Sequence, residues 1–115
     1  MSYDIRLAVK VDGTDIYADI AEPEYSSPTY NLRDMFVACM DWDYSQGEYY
    51  KCDDVLYKVE SGIRELTFRP NIYNAYNPDN GWGSRTSAIE ALESLRECIL
   101  EQARYIPIEH LYMHW

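Results

Sequence analysis

The chain has 115 residues, of which 47% are hydrophobic and 15% aromatic, and 20 acids against 10 bases give a formal charge of −10. Hydrophobic content at this level excludes a disordered chain, and the length suits a single domain, residues 1–115, with one core. The negative balance argues against direct binding to nucleic acid, whose phosphates need cationic partners.

Tyr3, Ile5, Leu7, Val9 and Val11 alternate with Asp4, Arg6, Ala8 and Lys10. That period predicts a half-buried strand. Asp12-Gly13 is a hairpin turn signal, and Ile16, Ala18 and Ile20 resume the alternation beyond it. The expectation is a β-hairpin over residues 3–21 with one face inward. Residues 22–30 hold two prolines and no usable period, so they read as a loop.

Asn31 can cap a helix over residues 32–40, where Leu32, Met35, Phe36 and Cys39 share a face. The acidic, aromatic run Asp41-Trp42-Asp43-Tyr44-Ser45-Gln46-Gly47 closes it. Val55, Leu56 and Val59 mark a helix over 52–61, with Gly62 as its C-terminal stop. Residues 62–67 read as a further helix ended by Pro70, because Arg64-Glu65-Leu66 are good helix formers.

The densest turn signal follows, Asn77-Pro78-Asp79-Asn80-Gly81-Trp82-Gly83. Pro78 pushes Asn77 towards extended backbone, and Asn80-Gly81 permits positive φ. Gly83 lets the backbone pass close to the Trp82 ring or to a neighbouring element. Trp82 itself reads as a core plug, the usual fate of a large aromatic. Ser87 with Glu90 forms a capping box for a helix over 88–106. Ala88, Leu92, Leu95, Ile99, Ala103 and Ile106 make its apolar stripe, opposite Glu90, Glu93, Glu97 and Glu101. Pro107 ends it, and alternation over 108–115 predicts a last strand that rejoins the hairpin. The fold class is therefore α+β, order β-β-α-α-α-β, a small antiparallel sheet with about three helices on one face.

The run Tyr76-Asn77-Pro78-Asp79-Asn80-Gly81-Trp82-Gly83, followed by an acidic helix and a short strand, resembles a group of small acidic proteins of bacteria, phages and mobile elements. These carry a Y-N-P-x-N-G-W-G segment before the last helix. The resemblance covers residues 62–115 and loosely the first hairpin. It implies a fold and a genetic neighbourhood, with no activity to transfer.

The remaining chemistry is sparse. Cys39, Cys52 and Cys98 form no C-x-x-C, so reduced thiols in a cytosol are the simplest expectation, with neither disulfide nor zinc. The N-terminus lacks a signal segment, and no apolar run reaches membrane-spanning length. The acids Asp41 with Asp43, Asp53 with Asp54, and Glu22 with Glu24 read as solvated surface rather than catalytic pairs. Asp79-Asn80-Gly81 lacks the later ligands of a calcium loop. On one strand His110 and His114 would stand roughly 13 Å apart, too far to chelate one ion. No catalytic residue, metal or cofactor is assigned.

Two function classes remain. Residues 34–60 hold seven acids against two bases, half of the excess charge, among several tyrosines. Acids interleaved with aromatics can imitate phosphate spacing with apolar anchors. The favoured expectation is a non-enzymatic interaction module that occludes a basic, nucleic-acid-binding surface of a host protein. By analogy of class it would be an inhibitor of the anti-CRISPR or anti-restriction type. Its contact residues would be Asp41, Trp42, Asp43, Tyr44, Tyr49, Tyr50, Asp53 and Asp54. The alternative is a module for a nucleotide or other anion, with Tyr73, Tyr76 and Trp82 as a stacking wall and Arg85 beside the N-terminus of the last helix.

Overall fold

The computed structural model describes residues 1–115. Its strands are β1 Arg6–Lys10, β2 Tyr17–Ala21, β3 Tyr50–Lys51 and β4 Leu111–His114. They form one antiparallel sheet in the order β2-β1-β4-β3. The helices are α1 Arg33–Met40, α2 Cys52–Phe68, α3 Pro70–Tyr73 and α4 Arg85–Gln102. Short 3-10 turns occupy Tyr30–Leu32, Asn74–Tyr76 and Ile108–His110. The α+β class stands, with four helices and four strands.

The hairpin forms around the Asp12-Gly13 turn, where Gly13 takes φ 73 and the Val11 amide donates to the Ile16 carbonyl at 2.8 Å. β4 returns antiparallel beside β1, with Leu7 opposite Met113. Leu7, Leu111 and Met113 face inward and are wholly buried against the helices. The helical stripes meet them: Met35, Phe36 and Cys39 from α1, Val55, Val59 and Leu66 from α2, Ala88, Leu92, Leu95 and Ile99 from α4. Glu90, Glu93, Glu97 and Glu101 all lie exposed on the far side of α4. No helix is long and apolar enough to cross a membrane.

Several sequence expectations are corrected. The two helices expected on either side of Gly62 are one, Cys52–Phe68. Gly62 does not stop it; it is buried, and a Cβ there would stand 3.0 Å from the Met40 side chain and 3.2 Å from Leu92. The glycine is a contact point for neighbouring helices. Pro70 begins α3 rather than merely ending α2, because its missing amide costs nothing in a first turn.

The last helix starts earlier than expected. Ser84 is its N-cap, and Ser84 and Ser87 cap each other's amides reciprocally, so Glu90 takes no part. It ends at Gln102, short of Ile106. Thr29, not Asn31, caps the turn before α1, by accepting from the Asn31 amide. Residues 108–110 form a 3-10 turn rather than strand. β3 has no counterpart in the sequence expectation, because two residues are too few to carry a period.

The hairpin's inward face is also only half realised. β2 is an edge strand, Ile20 is exposed, and Ile16 before it is 63% exposed. The helices do not reach across to cover it. On the sheet's other face Ala8 lies wholly buried between Asp19 of β2 and Tyr112 of β4. The rings of Tyr17, Tyr49, Tyr112 and His114 contact one another on that face, and His114 Nε2 lies 2.7 Å from Asp19 Oδ1.

Candidate functional site

The eight residues assigned to partner binding separate into three environments. Trp42 and Tyr44 are core, Trp42 being 3% exposed. Trp42 packs against Phe36, Tyr3 and Tyr44, the last edge-on at 4.8 Å. Burial, reinforced by the charge of Asp43, pushes the Tyr44 hydroxyl above its ordinary range. Trp42 has no ring face left for a partner, which corrects its assignment, and Tyr44 shows only an edge at the floor of a shallow surface hollow. Alternation around the turn explains it: within Asp41-Trp42-Asp43-Tyr44 the rings point in and the acids point out.

Tyr49 and Tyr50 are half-buried and bound within the fold. Tyr49 stacks on Tyr17 over the sheet's outer face. The Tyr50 ring lies 4.3 Å from that of Tyr44, and its hydroxyl accepts from the Ser45 amide at 2.7 Å. Tyr50 therefore holds the acidic loop in place.

Asp41, Asp43, Asp53 and Asp54 are all exposed. They surround a residue that the site assignment omitted, Tyr57, which is 77% exposed. Tyr57 stands between two shallow hollows. One, of about 370 Å³, is lined by Asp43, Tyr44, Tyr50, Lys51, Asp54 and Lys58; the other, of about 550 Å³, by residues that include Val37, Asp41, Lys58 and Ser61. A signal for Tyr57 was available in the helical period: Val55 and Val59 set the inward face of α2, and Tyr57 falls opposite.

Lys58 organises these acids. Its Nζ donates to the Asp41 carbonyl at 3.0 Å and to Asp43 Oδ1 at 2.9 Å, and stands 4.9 Å from the Tyr44 ring. The hydrogen bond from Lys58 holds the Asp43 carboxyl below its usual range. Asp41 ends α1 with φ 56, the sole residue other than glycine at positive φ. Asp53 and Asp54 sit in the first turn of α2, where carboxylates meet the positive end of the helix dipole.

The alternative site is assembled differently from expectation. Tyr73 is buried and Tyr76 is exposed, with ring centroids 6.3 Å apart, and neither pairs with Trp82. Arg85 is committed internally, its Nε donating to Asn74 Oδ1 at 3.0 Å and its Nη1 to the Leu66 carbonyl at 2.7 Å. The first-turn amide of Ser87 is taken by Ser84, and that of Arg85 by Asn77 Oδ1 at 2.8 Å. Trp82 is not a core plug: it is 70% exposed. It overhangs a hollow of about 820 Å³ lined by Ser2, Tyr25, Ser27, Thr29 and Asn31 together with the start of α4. No three His, Cys, Asp or Glu side chains converge into a metal cage.

Comparison with family models, curated proteins and solved structures finds no significant match to this chain.

Proposed function

We propose that this protein is a non-enzymatic interaction module whose acidic face docks on a basic surface of a partner protein. The observation that carries the reading is Tyr57, a large ring left 77% exposed beside hollows lined by Asp41, Asp43 and Asp54 with Lys51 and Lys58, and one helical turn after Asp53. A tyrosine offers contact area at low entropic cost, and the surrounding acids steer a cationic partner into register. Nucleic-acid-binding proteins present cationic surfaces of this kind, so an inhibitor that occludes one is the class proposed, the anti-CRISPR and anti-restriction type among them.

The test is affinity purification from the native host with two baits, the parent protein and a variant carrying Asp41→Asn, Asp43→Asn, Asp53→Asn and Asp54→Asn. Asparagine tolerates positive φ, so position 41 keeps its backbone. The parent should retain a basic protein that the variant loses. Kinetics on that partner should show the variant associating more slowly, with a flatter salt dependence. Tyr57→Ala should act mainly on dissociation, at roughly 1–2 kcal/mol. Equal capture by both baits would reduce the acids to a solubilising surface.

A further inference from the structure

The Trp82 hollow has a composition that the acidic face lacks. We infer that it is a binding site for an uncharged, hydroxyl-rich ring of the pyranoside type, stacked on the Trp82 indole. The inference does not depend on the docking reading, since it uses other residues.

Three observations carry it. First, the indole is presented by a fixed loop. Gly81 and Gly83, on either side of it, take φ 75 and 99. The Trp82 amide donates to Asn80 Oδ1 at 3.0 Å, and Asn77 Oδ1 accepts from the Arg85 amide. Gly83 packs so closely that a Cβ would meet Thr29 Cγ2 at 2.7 Å. An exposed tryptophan held this way keeps its apolar area in water, a cost that the fold does not recover by packing.

Second, no charged side chain lines the hollow. In a protein of net charge −10 this is an unusual absence: the one formal charge among the lining residues is the Met1 α-ammonium, and no carboxylate, lysine or arginine is there to fix a cation or a phosphate. Third, the hollow is rimmed by polar groups that the fold leaves unused. The side chains of Ser2, Ser27 and Asn31 and the Tyr25 hydroxyl make no hydrogen bond within the protein. Hydroxyls and amides both donate and accept, which matches the dual character of a ligand hydroxyl. The C–H face of a sugar ring packs on the electron-rich face of an indole while its rim hydroxyls reach such groups. The hollow is open to solvent, and its volume of about 820 Å³ lies within the range of small-molecule sites.

The test is a titration of the intact protein with maltotriose, cellotriose and N-acetylchitotriose, read by tryptophan fluorescence and by saturation-transfer NMR. AMP serves as the anionic comparison. Trp42 is buried and Trp115 half-buried, so the change is assigned to Trp82 by its loss in Trp82→Phe. At least one trisaccharide should give a saturable blue shift. Trp82→Ala should weaken binding by about tenfold or more, and Trp82→Phe by less, as expected for a stacking anchor. Asn31→Ala, on an exposed position, should weaken binding by several-fold while leaving the thermal midpoint in place. The inference is overturned if no saccharide binds saturably in the millimolar range. It is equally overturned if Trp82→Ala binds as the parent does, or if AMP binds more tightly than every neutral sugar.

Discussion

The rings of Tyr17 and Tyr49 stack face to face, 3.8 Å between centroids and 9° from parallel, although they come from opposite edges of the sheet. Each side chain must therefore lean inward across the outer face. Tyr112 meets Tyr17 edge-on at 5.1 Å, and the His114 ring lies 4.6 Å from Tyr49. Together they roof Ala8, which is buried on a face that no helix covers. A larger residue at position 8 would lift the roof.

Ala8→Leu should accordingly cost about 1–3 kcal/mol, the usual penalty of overpacking. A double-mutant cycle with Tyr17→Ala and Tyr49→Ala should return a coupling of about 0.5–1.5 kcal/mol. Urea denaturation measures both. Strict additivity of the two tyrosine changes would show that the rings meet without stabilising the sheet.

Trp82 and Trp42 should exchange the energetic roles that their surroundings in the sequence imply. Trp42→Ala should cost about 3–5 kcal/mol, as removal of a buried ring does. Trp82→Ala should stay within about 0.5 kcal/mol of the parent. Thermal melts decide it, and acrylamide should quench Trp82 first. A large loss of stability at Trp82 would mean that the loop folds back onto the core.

The glycines flanking Trp82 should not be equivalent. Gly81→Ala meets open space and bears only the positive-φ penalty, about 1–2 kcal/mol. Gly83→Ala bears that penalty and also drives a methyl into Thr29 and Leu32, so it should cost more. Ser84→Ala, which removes the cap of α4, should cost about 1 kcal/mol. Equal midpoints for the two glycine variants would refute the close approach at Gly83.

The thiols should report folding through pH. Burial pushes Cys39 and Cys52 from 9.0 up to about 12. The unfolded chain releases these protons near 9.0, while the folded chain holds them to about 12. Their contribution to stability is therefore complete below pH 9 and lost as pH rises towards 12. Denaturation midpoints should fall across that window, and less steeply in a Cys52→Ala variant. A thiol reagent at about pH 8 should label half-buried Cys98 first and reach Cys39 and Cys52 only on unfolding. Simultaneous labelling of all three would contradict their burial.

The legible parts of the chain are those where one period runs long enough to select a face. The α4 stripe and the inward residues of β1 belong here, as does the turn at Asp12-Gly13. The rest depends on what lies across the gap. Gly62 has the same composition signature as a helix stop, and only Met40 and Leu92 reveal it as a contact point. Ile16 and Ile20 alternate as core residues do, yet no helix reaches their edge of the sheet. Trp42 and Trp82 each sit in a polar, turn-rich stretch, and tertiary packing alone buries one and exposes the other. The acids of the candidate face were identifiable because charge is read directly from composition. The exposure of Tyr57 among them is legible only through the phase of α2, which Val55 and Val59 set.

Lys58 has a consequence for whatever meets the acidic face. One ammonium ties the carbonyl that ends α1 to the Asp43 side chain, and it does so from the body of α2. The loop bearing Asp41 and Asp43 is thus latched to the helix bearing Asp53, Asp54 and Tyr57. Ordering a flexible acidic loop on contact costs about 0.5–1.5 kcal/mol for each immobilised side chain. Here much of that ordering is complete before encounter, so the spacing of the charges is a property of the free molecule and not something a partner must impose.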